Sequence, residues 1–92
     1  MQSNFVPSTV SHSNLKPHQV FREGKLWDAV MVGTQLYKLI DFFNPDQREN
    51  AFEFAVQLYR EGCEAFISSD YEGYRVWVKV QSQSTRYQRR FL

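Results

Sequence analysis

The sequence predicts an α+β domain in which one long helix packs on one face of an antiparallel sheet of about four strands, in the order ββαββ. Three observations predict this fold: a helix over residues 45–61 with clear start and stop signals, an apolar stretch before it, and an alternating strand after it. Residues 1–25 are expected to form an irregular, flexible N-terminal arm. Residues 26–80 form the α+β domain, and residues 81–92 a flexible basic C-terminal tail.

The composition predicts one small domain. Of the 92 residues, 42% are hydrophobic and 16% are aromatic, which is enough for a single core. Cys63 is the only cysteine, so no disulfide forms within the chain, and no apolar run approaches the roughly 18 residues of a membrane span. The first residues lack the basic and then apolar pattern of a secretory signal. These features predict a cytoplasmic protein without a membrane span.

The N-terminal residues show no periodic pattern. Polar residues surround Pro7 and Pro17, which favours an extended, irregular arm that can lie along a partner or along the edge of the domain. His12 and His18 have no further ligand side chain between them, so we predict no metal site.

Two interpretations compete over residues 26–43. A helical stripe fits part of the segment, but it places Gly33 in mid-helix and leaves the start uncapped. A hairpin that turns at Gly33-Thr34 uses the Gly-X pattern and the strand-forming residues of this stretch. We favour the hairpin, with strands over about 26–32 and 36–42, in a register that sets Val30 opposite Tyr37.

The helix over residues 45–61 is marked at both ends. Asn44 and Gln47 fit a capping box around Pro45, and Gly62 supplies the left-handed residue that ends the helix. The apolar spacing places six residues on one broad face, and three of them, Phe52, Ala55 and Tyr59, are predicted to be buried against the sheet. The six residues are Ala51, Phe52, Ala55, Val56, Leu58 and Tyr59. Phe54 is predicted to lie beside this stripe, as a rim or interface residue.

A second hairpin is predicted over residues 63–80, where Y-R-V-W-V-K-V alternates cleanly after a turn-rich segment. One face of this hairpin, with Ile67, Val76 and Val78, is expected to meet the helix. The helix leaves the opposite face open, and three ways to cover it are predicted: the N- or C-terminal arm folds over it, a second copy or another protein covers it, or bases stack on it. The residues predicted to lie on it together are Phe66, Arg75, Trp77 and Lys79.

This open aromatic and basic face predicts a non-enzymatic protein-binding module that acts as a regulator, adaptor or assembly factor. The protein partner can be a different protein or a second copy in a homodimer. The alternative is nucleic-acid binding by the same face with help from the basic tail, although the middle of the chain is acidic. Besides the four residues of the face, the predicted partner-binding residues are Phe54, Arg86, Arg89 and Arg90.

No motif predicts catalysis. The chain has no Gly-rich phosphate loop, no nucleophile with a recognisable base, and no spaced cluster of metal ligands, so neither a metal nor another cofactor is predicted. Asp70 and Glu72 lie in a turn, where exposed carboxylates are common. Cys63 is interpreted as a small core residue.

Overall fold

A computed structural model describes residues 7–80 of the chain. Its elements in chain order are β1 (Ser8–Ser11), a 3₁₀ turn (His12–Asn14), β2 (His18–Arg22), β3 (Lys25–Val32), β4 (Gln35–Phe43), a second 3₁₀ turn (Pro45–Gln47), α1 (Arg48–Arg60), β5 (Ala65–Asp70) and β6 (Gly73–Lys79). The six strands form one sheet in the order β1-β5-β6-β4-β3-β2.

The predicted antiparallel four-stranded sheet is therefore wrong. The sheet has six strands, the β1–β5 pair is parallel, and 53% of the described residues are in strands. The two additional strands come from the N-terminal segment that the sequence predicted as an irregular arm. Because β1 pairs with β5, which lies far along the chain, no local pattern could indicate it. The predicted tail over residues 81–92 lies outside the described residues.

The hairpin over residues 26–43 is present as predicted. Strands β3 and β4 are antiparallel, and Val30 lies opposite Tyr37. Gly33 has a φ of 63°, which suits the first position of a tight hairpin turn. This hairpin is encoded locally, since its turn and both strands lie within eighteen or so residues.

The helix begins slightly later than predicted. Residues Pro45–Gln47 form a 3₁₀ turn, in which the Asn44 N–H donates to Gln47 Oε1 at 3.0 Å, and α1 follows from Arg48 to Arg60. At the other end, Gly62 has a φ of 88° and its N–H donates to the Tyr59 carbonyl. The Cys63 N–H donates to the Leu58 carbonyl, which completes the predicted glycine-terminated end.

The centre of the predicted stripe of α1, Ala51 and Ala55, is confirmed, and its Tyr59 edge is wrong. Ala51 and Ala55 are fully buried against Ile67 and Val76. The side chains that complete this cluster are Phe43, Phe52, Phe54, Leu58 and Tyr74. Tyr59 is instead 53% exposed, and Phe52 is only partly buried. The small alanines form the centre of the contact because they allow the helix to lie close to the sheet.

The two faces of the sheet are covered by different elements. The helix face carries Ile67, Val76 and α1. The opposite face, which we call the connection face, carries a second cluster centred on Val30, Phe66 and Trp77. Residues 12–17 lead from β1 to β2, and Leu15 packs against this cluster.

This connection requires the sheet to bend. Strands β1 and β2 lie at opposite edges, which would be about 24 Å apart in a flat six-stranded sheet. Seven residue steps reach about 24 Å only when fully extended, and three of the linking residues are in a compact 3₁₀ turn. The sheet therefore curves around its connection face, which brings the two edges closer.

Candidate partner-binding surface

Trp77 is not on an open surface. Its side chain is 1% exposed, and its indole Nε1–H donates to Ser68 Oγ at 2.9 Å. The His12 ring stacks on it at a centroid distance of 6.2 Å, and Phe66, which is 8% exposed, stacks on it at 6.3 Å. The expectation that Phe66 and Trp77 are exposed is wrong, because the N-terminal connection covers this face.

Ser68 joins the connection to the sheet. Its hydroxyl is fully buried between Trp77 and His12, and the His12 Nδ1 lies 3.0 Å from Ser68 Oγ. Because the indole can only donate, Ser68 accepts from Trp77 and remains able to donate to an unprotonated His12 nitrogen. This chain of hydrogen bonds satisfies the polar atoms of an otherwise apolar cluster.

The predicted cations Arg75 and Lys79 are engaged within the chain. Arg75 contacts the Asp70 carboxylate at 3.2 Å and the Glu72 carboxylate at 2.9 Å, and its guanidinium lies 5.1 Å from the centre of the Phe42 ring. Lys79 lies 3.6 Å from a Glu64 carboxylate oxygen.

The β5–β6 turn is organised by Asp70. Burial alone would raise the pKa of the Asp70 carboxyl, but the N–H groups of Glu72 and Gly73, at 2.9 and 3.3 Å, and the Arg75 guanidinium outweigh it. The pKa of Asp70 is therefore held below its ordinary value of 3.8.

Phe54 faces the core beneath the helix. Its ring lies 5.9 Å from the Phe43 ring, in the cluster on the helix face, and it is half-buried. It is therefore not grouped with Arg75 or Lys79, which lie on the opposite face of the sheet. Arg86, Arg89 and Arg90 lie outside the described residues.

On the helix face, beside α1 rather than beneath it, strands β3 and β2 present a partly exposed surface. Lys38 pairs with Val78 on β6 and with Ala29 on β3, so β3 presents Trp27 and Met31 on this same face. Val20 on β2 lies directly opposite Trp27. We call this surface the Trp27 patch. Its members are Val20, Arg22, Lys25, Trp27, Met31 and Lys38.

The Trp27 patch combines an indole with cations that make no ion pair within residues 7–80. Lys38 Nζ lies 4.2 Å from the centre of the Trp27 ring, and Arg22 Cζ lies 5.5 Å from it, both within cation–π range. Among the described residues, neither these two cations nor Lys25 makes an ion pair. Met31 is 51% exposed. The patch is therefore apolar at its centre and carries free positive charge around it.

The other face of the same two strands is also apolar and exposed. Phe21 and Leu26 are cross-strand partners on β2 and β3, and they are 69% and 61% exposed. They lie on the connection face but away from its buried cluster. Strand β2 thus carries the exposed Phe21 on one face and the half-buried Val20 on the other.

Sequence reasoning missed the Trp27 patch because β2 was predicted as an irregular arm. A local signal was present: V-F-R and K-L-W flank Glu23-Gly24, and both turn residues have positive φ, 53° and 78°. Two consecutive positive φ values are typical of a type I′ hairpin turn, for which Asn-Gly and Asp-Gly are the strongest sequence markers. Glu-Gly at this position is a weaker marker of the same turn.

A cavity of about 530 Å³ lies at the far end of the connection face. Its apolar wall includes Val10, Tyr37 and Phe66, and its polar atoms are few. Glu64 contributes a carboxylate, which already lies 3.6 Å from Lys79. This cavity lacks the converging polar groups that orient a small ligand.

Within residues 7–80, no three His, Cys, Asp or Glu side chains come together as metal ligands. That part of the chain also contains no helix with the length and apolar character needed to cross a membrane. The chain matches no protein-family model, no curated protein and no solved structure.

Proposed function

We propose that this chain is a small non-enzymatic protein-binding module, a regulator, adaptor or assembly factor, that docks a protein partner through the Trp27 patch. The observation that carries the proposal is the Trp27 indole, which is only partly buried and lies between Lys38 and Arg22 on a sheet surface that no described element covers. Tryptophan and arginine are enriched among the interface residues whose truncation to alanine costs the most binding energy.

The composition of the patch supports a protein partner. Val20, Trp27 and Met31 supply apolar area, and the three cations lie around them without carboxylate partners in the described chain. A partner with acidic side chains would neutralise the cations and remove the indole from water in one step. The pairing of an apolar centre with a charged rim is the usual anatomy of a protein interface.

The proposal keeps the kind of surface that the sequence indicated and changes its residues. Trp27 is proposed as the partner-binding aromatic side chain in place of Trp77. Arg22 and Lys38 are proposed as the partner-binding cations in place of Arg75 and Lys79. The reason is availability, since Trp77 is buried and both Arg75 and Lys79 are already ion-paired.

A reducing, cytoplasmic setting is part of the proposal. Its support is the cysteine content, because Cys63 is the only cysteine in the chain and is a free thiol. Small secreted domains generally use several disulfides instead.

Nucleic-acid binding is the second candidate, and the same cluster of one tryptophan and three cations favours it. Affinity would then fall steeply with added salt, because each phosphate contact releases condensed counterions. The described residues carry eight Lys and Arg against ten Asp and Glu, which favours a protein partner over a polyanion.

Site-specific photo-crosslinking tests the proposal in cells that make the protein. A photoreactive phenylalanine analogue replaces Met31 in the patch, and the matched control carries it at Tyr71, which is 85% exposed in the β5–β6 turn. We expect a discrete protein adduct from position 31 only. Trp27→Ala in the same chain is expected to abolish the adduct.

Three outcomes would contradict the proposal. Absence of any adduct from position 31, or equal adducts from positions 31 and 71, would show that the patch has no specific partner. An adduct that nuclease treatment removes would establish the nucleic-acid candidate instead. An adduct of twice the chain mass would instead support the proposal and identify the protein partner as a second copy.

A further inference from the structure

We infer that the free edge of β2 receives an extended, acidic segment of the partner, which adds to the sheet as a seventh strand. This inference rests on the proposed function and specifies the chemistry of the partner at that surface. Strand addition supplies main-chain hydrogen bonds for affinity, and the side chains on the two faces supply specificity.

Strand β2 has the geometry that strand addition requires. It forms five consecutive pairs with β3, from His18 opposite Ala29 to Arg22 opposite Lys25, with no register shift. In the described chain no strand lies on its other side. Alternate N–H and C=O groups along that side therefore point away from the sheet.

The two edges of the sheet differ in their protection. Strand β1 is four residues long, polar in three of its four positions, and continues directly into a 3₁₀ turn. Strand β2 has no bulge and places Val20 on one face and the 69% exposed Phe21 on the other. Natural edges are usually blunted by charge, bulges or short length. Strand β2 has no bulge and is one residue longer than β1, and its one charged side chain, Arg22, is part of the proposed recognition.

The residues beside β2 specify the sequence pattern of the added strand. Side chains of a strand alternate between faces, so every second residue of the segment would lie beside Arg22 and the Trp27 patch. The residues between them would lie beside Phe21 and Leu26. The segment that fits both faces alternates acidic and apolar residues.

Charge decides between the candidate occupants. Arg22, Lys25 and Lys38 have no carboxylate partner among the described residues, so a carboxylate-bearing strand is complementary to this edge. A second copy pairing through its own β2 would add the same cations and no acid. A nucleic acid has no peptide groups with which to extend the sheet.

The test uses a defined probe, a blocked nonapeptide of alternating glutamate and valine, added to the full ¹⁵N-labelled chain. Two control peptides accompany it. One is an isomer with the same residues arranged in two blocks, and the other alternates lysine and valine. We expect amide shift changes over β2 and not over β1 with the alternating glutamate peptide. Both controls are expected to bind at least tenfold more weakly, in line with the loss of register or of charge complementarity.

Charge-reversal variants test the cations. Arg22→Glu, on β2 itself, should lower the affinity for the glutamate peptide about tenfold, and Lys38→Glu, which lies on β4 and further from the added strand, should lower it less. Arg60→Glu is the matched control, because it makes the same charge change at the exposed end of α1 and should leave the affinity unchanged.

Backbone methylation tests strand addition itself. One version of the peptide is N-methylated at every valine and another at every glutamate, so each version blocks one edge of the peptide. At least one of them is expected to lose binding. If both bind as tightly as the parent peptide, or if shift changes appear at β1 and not at β2, the inference is overturned.

The outcomes separate this inference from the proposed function. A crosslinked partner at position 31, together with a peptide that does not perturb β2, would leave the binding module standing and reject strand addition. Loss of the patch-specific crosslink would reject the proposed function whatever the peptide does.

Discussion

The two tryptophans of this chain lie in two halves of one sheet that differ in what covers them. Trp77 lies on the inner strand β6, is 1% exposed, and is bonded to Ser68 beneath the stacked His12 ring. Trp27 lies on β3, next to the edge strand; it is half-buried, and Lys38 Nζ and Arg22 Cζ lie 4.2 and 5.5 Å from its ring centre.

The difference shows that strand alternation alone does not distinguish a fully buried aromatic side chain from a half-buried one. Both indoles sit in strands of β-branched and aromatic residues, and in both strands their neighbours alternate between faces. The two indoles differ in what packs on them. The connection from β1 packs on Trp77, and no described helix or connection packs on Trp27. One half of the sheet is built for stability, and we propose that the other half is built for binding.

The largest expected effect is the loss of stability in Trp77→Ala. Removing a fully buried indole should cost about 3–5 kcal/mol, because it leaves a cavity and removes packing from the Val30 and Phe66 cluster. Denaturant melts of this variant and of Trp27→Ala measure the difference. Equal losses in the two variants would show that the two halves are not distinct.

The next effect is expected from Ser68→Ala, which removes the buried acceptor of the Trp77 indole N–H. Leaving that donor without a partner should cost about 1–3 kcal/mol in the free energy of unfolding. Ser69→Ala is the matched control, since Ser69 lies on the other face and should change stability by less than about 0.5 kcal/mol. A Ser68→Ala protein as stable as its control would contradict the buried hydrogen-bond chain.

Trp27→Ala should cost only about 1 kcal/mol, the scale of an exposed cation–π contact together with partial burial. Single-tryptophan variants sharpen the comparison. Trp27→Phe retains Trp77, whose emission should be blue-shifted and protected from acrylamide, and Trp77→Phe retains Trp27, which should be quenched more readily. The reverse order of quenching would contradict the assignment of the two halves.

The smallest effect is a pH dependence at the β5–β6 turn. The folded pKa of Asp70 is held below 3.8, so its carboxylate stabilises the fold above the unfolded pKa and loses that contribution as pH falls through the folded value. Asp70→Asn should therefore be less stable than the native chain near neutral pH, and the two should converge below pH 3.8. Melts at a series of pH values check this, and a gap that widens on acidification would contradict it.

The sequence by itself determined the elements whose signals are local. The hairpin at Gly33, the glycine-terminated helix end at Gly62 and the shared face of Ile67 and Val76 were all predicted from turn residues, caps and alternation. In each case the interacting groups are close together in the sequence, so the residues that form the element also encode it.

Only the tertiary structure decided the pairing of β1 with β5, the exposure of Tyr59 on α1, and the burial of Trp77. Each depends on chain segments that meet across long sequence separations: Ser8 lies beside Phe66, and His12 lies on Ser68. A strand pattern specifies that one face is apolar but not which distant segment covers it. The same limit moved the candidate site from the Trp77 face to the Trp27 patch, because exposure is a property of the packed chain.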